Sequence, residues 1–180
     1  EEAAEQLAVG GGQGLSTFMS AFIVEALGKS RNAETALKIM KEYYGGMLSR
    51  GATSFWEDFD LRWLENSGRI DELTPPGMSD LHGDFGNWCY RGFRHSLCHG
   101  WSCGPVQFLT EYILGIQIAE AGCKKISVCP HLGDLSWCKG TFPTPYGILS
   151  VSLEQKDGGI HADVSAPKEV SVTLAQTTAV

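Results

Sequence analysis

Before Gly122 the apolar positions recur at intervals of three and four; after it they alternate. Phe18, Phe22, Ile23, Ala26 and Leu27 form one stripe at helical spacing, with Gly28 placed where a C-terminal cap belongs. Asn32 then offers an N-cap to a second helix that carries Ala36, Leu37, Met40, Tyr43 and Tyr44 on one face. The short connection predicts an antiparallel helical hairpin. A third helix is predicted from Pro105 to a stop at Gly122, burying Leu109, Tyr112, Ile113, Ile116 and Ala119. Beyond Gly122, four short apolar sets read as strands: Ile126 and Val128; Ile148, Leu149, Val151 and Leu153; Ile160, Ala162 and Val164; Val170, Val172 and Leu174. Asp157, Gly158 and Gly159 supply a hairpin turn between two of them. A helical part followed by strands predicts an α + β chain in two units, 1–122 and 123–180. The glycines at 10, 11, 12 and 14 lack both a preceding strand and the lysine of a phosphate loop, so they read as a turn.

Composition narrows the chemistry. Fourteen Lys and Arg against twenty-one Asp and Glu give a net charge of -7 over 180 residues. No basic cluster is present to neutralise a phosphate backbone, which argues against a nucleic-acid partner. The longest uncharged run, 6–24, is broken by glycines and is no membrane span. The six cysteines form no C-x-x-C pair, and most read as free, small core residues. The first residues, Glu1, Glu2, Ala3, Ala4 and Glu5, read as the middle of a longer or processed protein.

The long irregular stretch 51–102 concentrates the candidate chemistry. It holds four of the five Trp (Trp56, Trp63, Trp88, Trp101), three of the five His (His82, His95, His99), and Glu57, Asp58, Asp60, Asp80 and Asp84. Aromatic faces stack on the C–H faces of sugar rings, and carboxylates accept protons or hydroxyl hydrogen bonds, so the combination points to carbohydrate. Glu57, flanked by Phe55 and Trp56, is expected to be partly buried, which would raise its pKa and suit proton transfer. A zinc site is the rival, because Asp80, His82, Asp84, His95, Cys98, His99 and Cys103 include every common ligand type, although no H-E-x-x-H arrangement occurs. A third reading is non-catalytic sugar binding by the strand region, where Trp137, Phe142 and Tyr146 are the available aromatics.

Two motifs sharpen the first reading. Gly51-Ala52-Thr53-Ser54-Phe55-Trp56-Glu57, followed by Ser96-Leu97-Cys98-His99, resembles the motif pair near the end of the barrel in α-L-rhamnosidases of glycoside hydrolase family 78. Lys124-Lys125-Ile126, Pro130-His131, Trp137-Cys138-Lys139-Gly140 and Pro143-Thr144-Pro145-Tyr146-Gly147 are similar to the C-terminal β-sandwich segment of the same enzymes. The resemblance implies the last helices of an (α/α)6 barrel followed by a small antiparallel β-sandwich. It implies inverting hydrolysis of terminal α-L-rhamnosides, with Glu57 as general base and His99 as a sugar contact, and Trp56, Asp60 and Trp101 as further substrate-binding candidates. No cofactor and no metal is implied, since two carboxyl groups supply the proton transfers. The partner is a rhamnose-containing glycoside or oligosaccharide, together with the N-terminal part of the same enzyme. That part would carry the general acid, so this chain alone is expected to be inactive. Two departures from the family pattern stand out: Cys98 replaces an Asn before the motif His, and 57–99 is longer by roughly twenty residues, a size that marks a functional loop. The excess, around 66–85, reads as a lid or subsite wall.

Overall fold

The computed structural model describes residues 6–84 and 95–175. The chain divides into two compact units, Glu1–Pro105 and Val106–Val180. Among the described residues no helix is long and apolar enough to cross a membrane.

In the first unit the dominant elements are α1 (Thr17–Lys29) and α2 (Ala33–Ser49), which pack on each other. Ser16 caps α1, its hydroxyl oxygen accepting from the Met19 N–H at 3.2 Å. Asn32 stands at the start of α2 but makes no side-chain cap; its Oδ1 accepts from the Thr35 hydroxyl instead. The predicted inward face of α2 is buried at Ala36, Leu37, Met40 and Tyr43. Of the predicted stripe of α1 only Leu27 is fully buried. The buried positions of this helix are Thr17, Ser20, Val24, Leu27 and Gly28, while Phe18 and Phe22 are exposed. The reason lies in two hydroxyls: Ser20 Oγ lies 2.5 Å from the Tyr44 hydroxyl, and Thr17 Oγ1 donates to the Glu57 carbonyl. Burying Thr17 and Ser20 satisfies those partners and rotates the phenyl rings outward. The glycines ahead of α1 do form a turn, with the Gly12 N–H donating to Glu42 Oε2 at 2.8 Å.

After α2 the chain has little regular structure, yet it holds a core. Tyr43, Met47, Trp56, Phe59, Leu61, Trp63 and Leu81 make one buried cluster. Its rings meet edge to face, Trp56 with Phe59 at 5.7 Å and Phe59 with Trp63 at 6.1 Å. The Tyr43 hydroxyl donates to the Phe59 carbonyl at 2.6 Å, and burial pushes its pKa far up. Beyond a 3-10 turn at Leu61–Asn66, the segment read as a lid or wall is pinned at its base. There the Ser79 N–H donates to the Asn66 carbonyl, the Gly68 N–H to Ser79, and the Ile70 N–H to Arg50. Its end at Phe85 lies outside the described residues.

The second unit corrects two expectations. The helix predicted from Pro105 to Gly122 is only α3 (Gly104–Phe108) and a π-turn (Leu109–Ile113); Ile116–Ile118 is strand β1. Gly115, at φ 77°, ends the helix in a left-handed conformation, and a Cβ there would collide with the Cys129 carbonyl. The helical spacing through Ile116 and Ala119 is therefore accidental, and the compact units divide at 105/106 instead of 122/123.

The remaining strands are β2 (Lys125–Val128), β3 (Trp137–Thr144), β4 (Gly147–Lys156), β5 (Gly159–Ser165) and β6 (Ser171–Leu174). They make two three-stranded sheets, β1-β2-β6 and β3-β4-β5. The fold is thus α + β, but the second unit is not wholly antiparallel, because β2 and β6 run parallel. Leu149, Val151 and Leu153 of β4 share one aliphatic core with Ile116, Ile126 and Val128 of the other sheet. Asp157 and Gly158, both at positive φ, close the β4–β5 hairpin as its two-residue turn. β3 lies at a sheet edge, where Pro143 is tolerated without a lost ladder bond. Of the described cysteines, Cys98, Cys103 and Cys129 are exposed instead of core residues, while Cys123 and Cys138 are half-buried against the second unit's core; Cys89 lies outside the described residues.

Candidate functional site

The site is built where 54–57 meets 96–99. The Glu57 N–H donates to the Ser96 carbonyl at 2.9 Å and the His99 N–H to the Phe55 carbonyl at 2.8 Å, so the two segments run alongside in opposite directions. Ser54 Oγ donating to the Leu97 carbonyl, and Ser102 Oγ to the Trp56 carbonyl, fasten the same junction. Glu57 is the most constrained residue in it. The Thr17 hydroxyl donates to its carbonyl at 2.5 Å and Trp101 Nε1–H to the same oxygen at 2.9 Å. The Ser96 N–H donates to carboxylate Oε2 at 2.7 Å. Such charge-assisted bonds are about twice as strong as neutral ones, so the carboxylate is aimed and not merely present.

The other oxygen, Oε1, lies 3.7 Å from His99 Nδ1, with the Glu57 side chain 11% and the His99 side chain 32% exposed. That separation is too long for a direct hydrogen bond but short enough for electrostatic coupling. His99 in turn packs on Trp101, ring centroids 4.2 Å apart, and the edge of Phe18 meets Trp101 at 5.7 Å. Trp101 is 42% exposed, so one indole serves the site twice: its N–H holds the Glu57 backbone and its ring continues the wall beside His99. Carboxylate, imidazole and indole together offer an acceptor, a neutral or charged donor and an apolar face within one small surface.

The five expected site residues therefore separate. Glu57, His99 and Trp101 are brought together. Trp56 is wholly buried among Phe59 and His95, with no face left for a sugar, and is corrected to a core residue. Asp60 caps the turn at Leu61–Asn66 through the Arg62 N–H and accepts from the Arg62 guanidinium, which holds its carboxyl below the usual range. Its charge is committed to that turn. Burial pushes the neighbouring Asp58 carboxyl up, while its Oδ1 accepts from the Phe59 N–H. Three residues were missed: Thr17 and Ser96, which hold Glu57, and Phe18, which extends the aromatic wall. Ser96 lay inside the quoted motif, but the bond it supplies comes from its backbone, which no residue type reveals. Trp88 falls outside the described residues. Among those described, no three His, Cys, Asp or Glu side chains converge as a metal site. His95 is buried between Trp56, Trp63 and His82, and burial lowers its pKa.

Residues 115–179 match the bacterial alpha-L-rhamnosidase C-terminal domain family. An alpha-L-rhamnosidase of Alteromonas sp. (strain LOR) is 29% identical over 130 residues, 69% of this chain and 11% of that protein. The solved family 78 rhamnosidase of Bacillus sp. GL1 is 30% identical with a TM-score of 0.67, covering 89% of this chain and 15% of its own. The Streptomyces avermitilis alpha-L-rhamnosidase, solved in complex with L-rhamnose, shares the fold at a TM-score of 0.60 and 19% identity, over 86% of this chain and 14% of its own. The chain thus spans a small fraction of the length of these relatives, and it resembles the C-terminal part of a family 78 α-L-rhamnosidase.

Proposed function

We propose that this chain, as the C-terminal part of such a hydrolase, supplies the general base for inverting hydrolysis of terminal α-L-rhamnosides. The first unit, Glu1–Pro105, would contribute the last helices of an (α/α)6 barrel, and the second, Val106–Val180, a terminal sandwich. Glu57 takes a proton from the attacking water while a carboxylic acid from another part of the same enzyme protonates the leaving oxygen. His99 and Trp101 contact the sugar, one through a ring nitrogen and the other through its indole face. The observation that carries this reading is the aim of one carboxylate: Glu57 is fixed at its backbone by Thr17 and Trp101 and at Oε2 by Ser96, with Oε1 turned toward His99. A general base must be positioned before its basicity matters.

The test is turnover of an aryl α-L-rhamnoside by the native protein that contains this chain. Glu57→Gln, which keeps the Ser96 bond but cannot accept the proton, lowers kcat by about 10²–10⁴-fold. Azide added to Glu57→Gly restores turnover and gives a rhamnosyl azide of inverted configuration. Retained configuration in the wild-type product, or an unchanged kcat in Glu57→Gln, would overturn the assignment. The 180-residue chain by itself is expected to give no turnover, since it lacks the acid.

A further inference from the structure

The outer face of the β3-β4-β5 sheet is a second place where side-chain chemistry converges, and nothing in the hydrolytic reading uses it. An open hollow of about 410 Å³ lies there, lined by Lys139, Thr141, Ser150, Ser152, Asp163 and Ser165 over a floor of Gly140 and Val151. That volume falls within the range of small-ligand sites. Register explains the hollow. Lys139 pairs with Ser152 and Ser152 with Asp163; in the next outward row Thr141 pairs with Ser150 and Ser150 with Ser165. Four short hydroxyl side chains leave space where the long side chains usual on a solvated sheet would fill it. Two residues before Lys139 on the same face stands Trp137, 61% exposed.

The charges select the occupant. Among the described residues none of the six lining polar side chains makes a side-chain hydrogen bond or ion pair, and Lys139 and Asp163 stand two strand spacings apart, about 9.5 Å. Within the hollow one cation, one anion and four hydroxyls sum to a neutral surface that donates and accepts in alternation, and the exposed Glu154 opposite Trp137 adds an acceptor at its edge. An anionic ligand meets Asp163 and a cationic one meets Lys139, whereas a neutral polyhydroxyl molecule satisfies both. An exposed indole beside such a row adds the apolar face on which a pyranose ring stacks. We propose that this sheet face binds a neutral saccharide, with Trp137 against a ring face and Lys139 and Asp163 bracketing hydroxyls across Ser152. The site lies wholly on residues of the second unit and does not depend on the hydrolytic assignment.

Titrating the isotope-labelled 180-residue chain with L-rhamnose and with maltose, and following amide resonances, tests this. Neutral sugars are expected to shift resonances of 139–141, 150–152 and 163–165 with a Kd of about 1 mM, as suits an open site. Trp137→Ala weakens binding about tenfold. Lys139→Ala and Asp163→Ala each weaken it several-fold, and Ser152→Phe fills the hollow and abolishes it. The two alanine variants alter outward side chains without fold contacts, so they decide the matter should Ser152→Phe disturb β4. Glu57→Gln leaves the shifts at 139–141, 150–152 and 163–165 unchanged, which separates this site from the hydrolytic one. Absence of shifts at these positions, glucosamine or glucuronate binding as well as the neutral sugars, or shifts confined to the surroundings of Glu57 and His99 would each overturn the proposal.

Discussion

The two units solve the same problem with opposite materials. The second is held by an aliphatic core of Leu, Ile and Val drawn from both sheets, and its strands alternate buried and outward residues with few exceptions. The first is held by rings, and polar atoms run through its interior. Tyr43 bonds a carbonyl, Thr17 and Ser20 are buried for their hydroxyls, and Trp56 Nε1 and both His95 ring nitrogens are buried without a hydrogen-bond partner among the described residues. Polar atoms in a core are costly unless they hold something in place. In the first unit they abut the two segments that aim Glu57, since Trp56 precedes it and His95 precedes Ser96. The core of the second unit is aliphatic, with the buried His131 Nε2 as an exception among the described residues, whereas the first unit gives up some stability beside the segments that hold the Glu57 carboxylate.

Core truncation tests this with the largest effects. Trp56→Ala should cost about 3–5 kcal/mol and Leu153→Ala about 2–5 kcal/mol. Native-state amide exchange should locate the two losses differently, Trp56→Ala releasing amides of α1 and α2 and Leu153→Ala those of β2 and β4. Equal loss of protection throughout the chain after either change would break the distinction. A comparable effect is expected at Gly115. Gly115→Ala meets both the strain of φ 77° and the backbone of Cys129, which must move aside, and should cost about 4 kcal/mol by thermal unfolding.

The same contrast explains what could be read from the sequence. Strands β2, β4, β5 and β6 and the Asp157–Gly158 turn were legible because period-two alternation and a two-residue turn are local signals. β1 was not, because three residues after a left-handed glycine carry too little pattern to outweigh an accidental helical spacing. β3 was hidden by Pro143, which only its edge position permits. In the first unit both helices were legible, but the inward face of α1 was misassigned because its buried residues are hydroxylated and its phenyl rings face outward. Glu57, His99 and Trp101 were visible through motif and composition. Trp56 was misjudged because an aromatic beside a carboxylate looks the same in sequence whether it faces a sugar or the core. Thr17 and Ser96 were invisible, since each acts through contacts that join distant parts of the chain.

The subtlest test concerns His95. Its imidazole is buried, its two nitrogens have no hydrogen-bond partner among the described residues, and burial holds its pKa below the ordinary value, with His82 acting in the same direction and the Glu57 and Asp80 charges opposing. At neutral pH the group is therefore uncharged in the folded state. His95→Phe replaces it with an apolar ring of similar shape, so stability at pH 7 should change by less than about 1 kcal/mol, in the stabilising direction. The pH dependence should change more. Below about pH 6.5 the unfolded chain binds a proton at this residue that the folded chain resists, so wild-type stability falls as pH falls toward the depressed folded pKa. The variant lacks that loss. Urea unfolding at a series of pH values should show its advantage over wild type growing from about pH 6.5 downward, then levelling once the folded protein also binds the proton. A gap that narrows on acidification would mean that His95 is charged in the fold, and the first unit's interior would then be stabilised by ionic pairing and not strained by unpaired polarity. The fully buried core of the second unit is Leu, Ile and Val, and burial pushes the Cys138 thiol beside it further up, so the protection of its β4 amides offers an internal reference for the same acidic pH series.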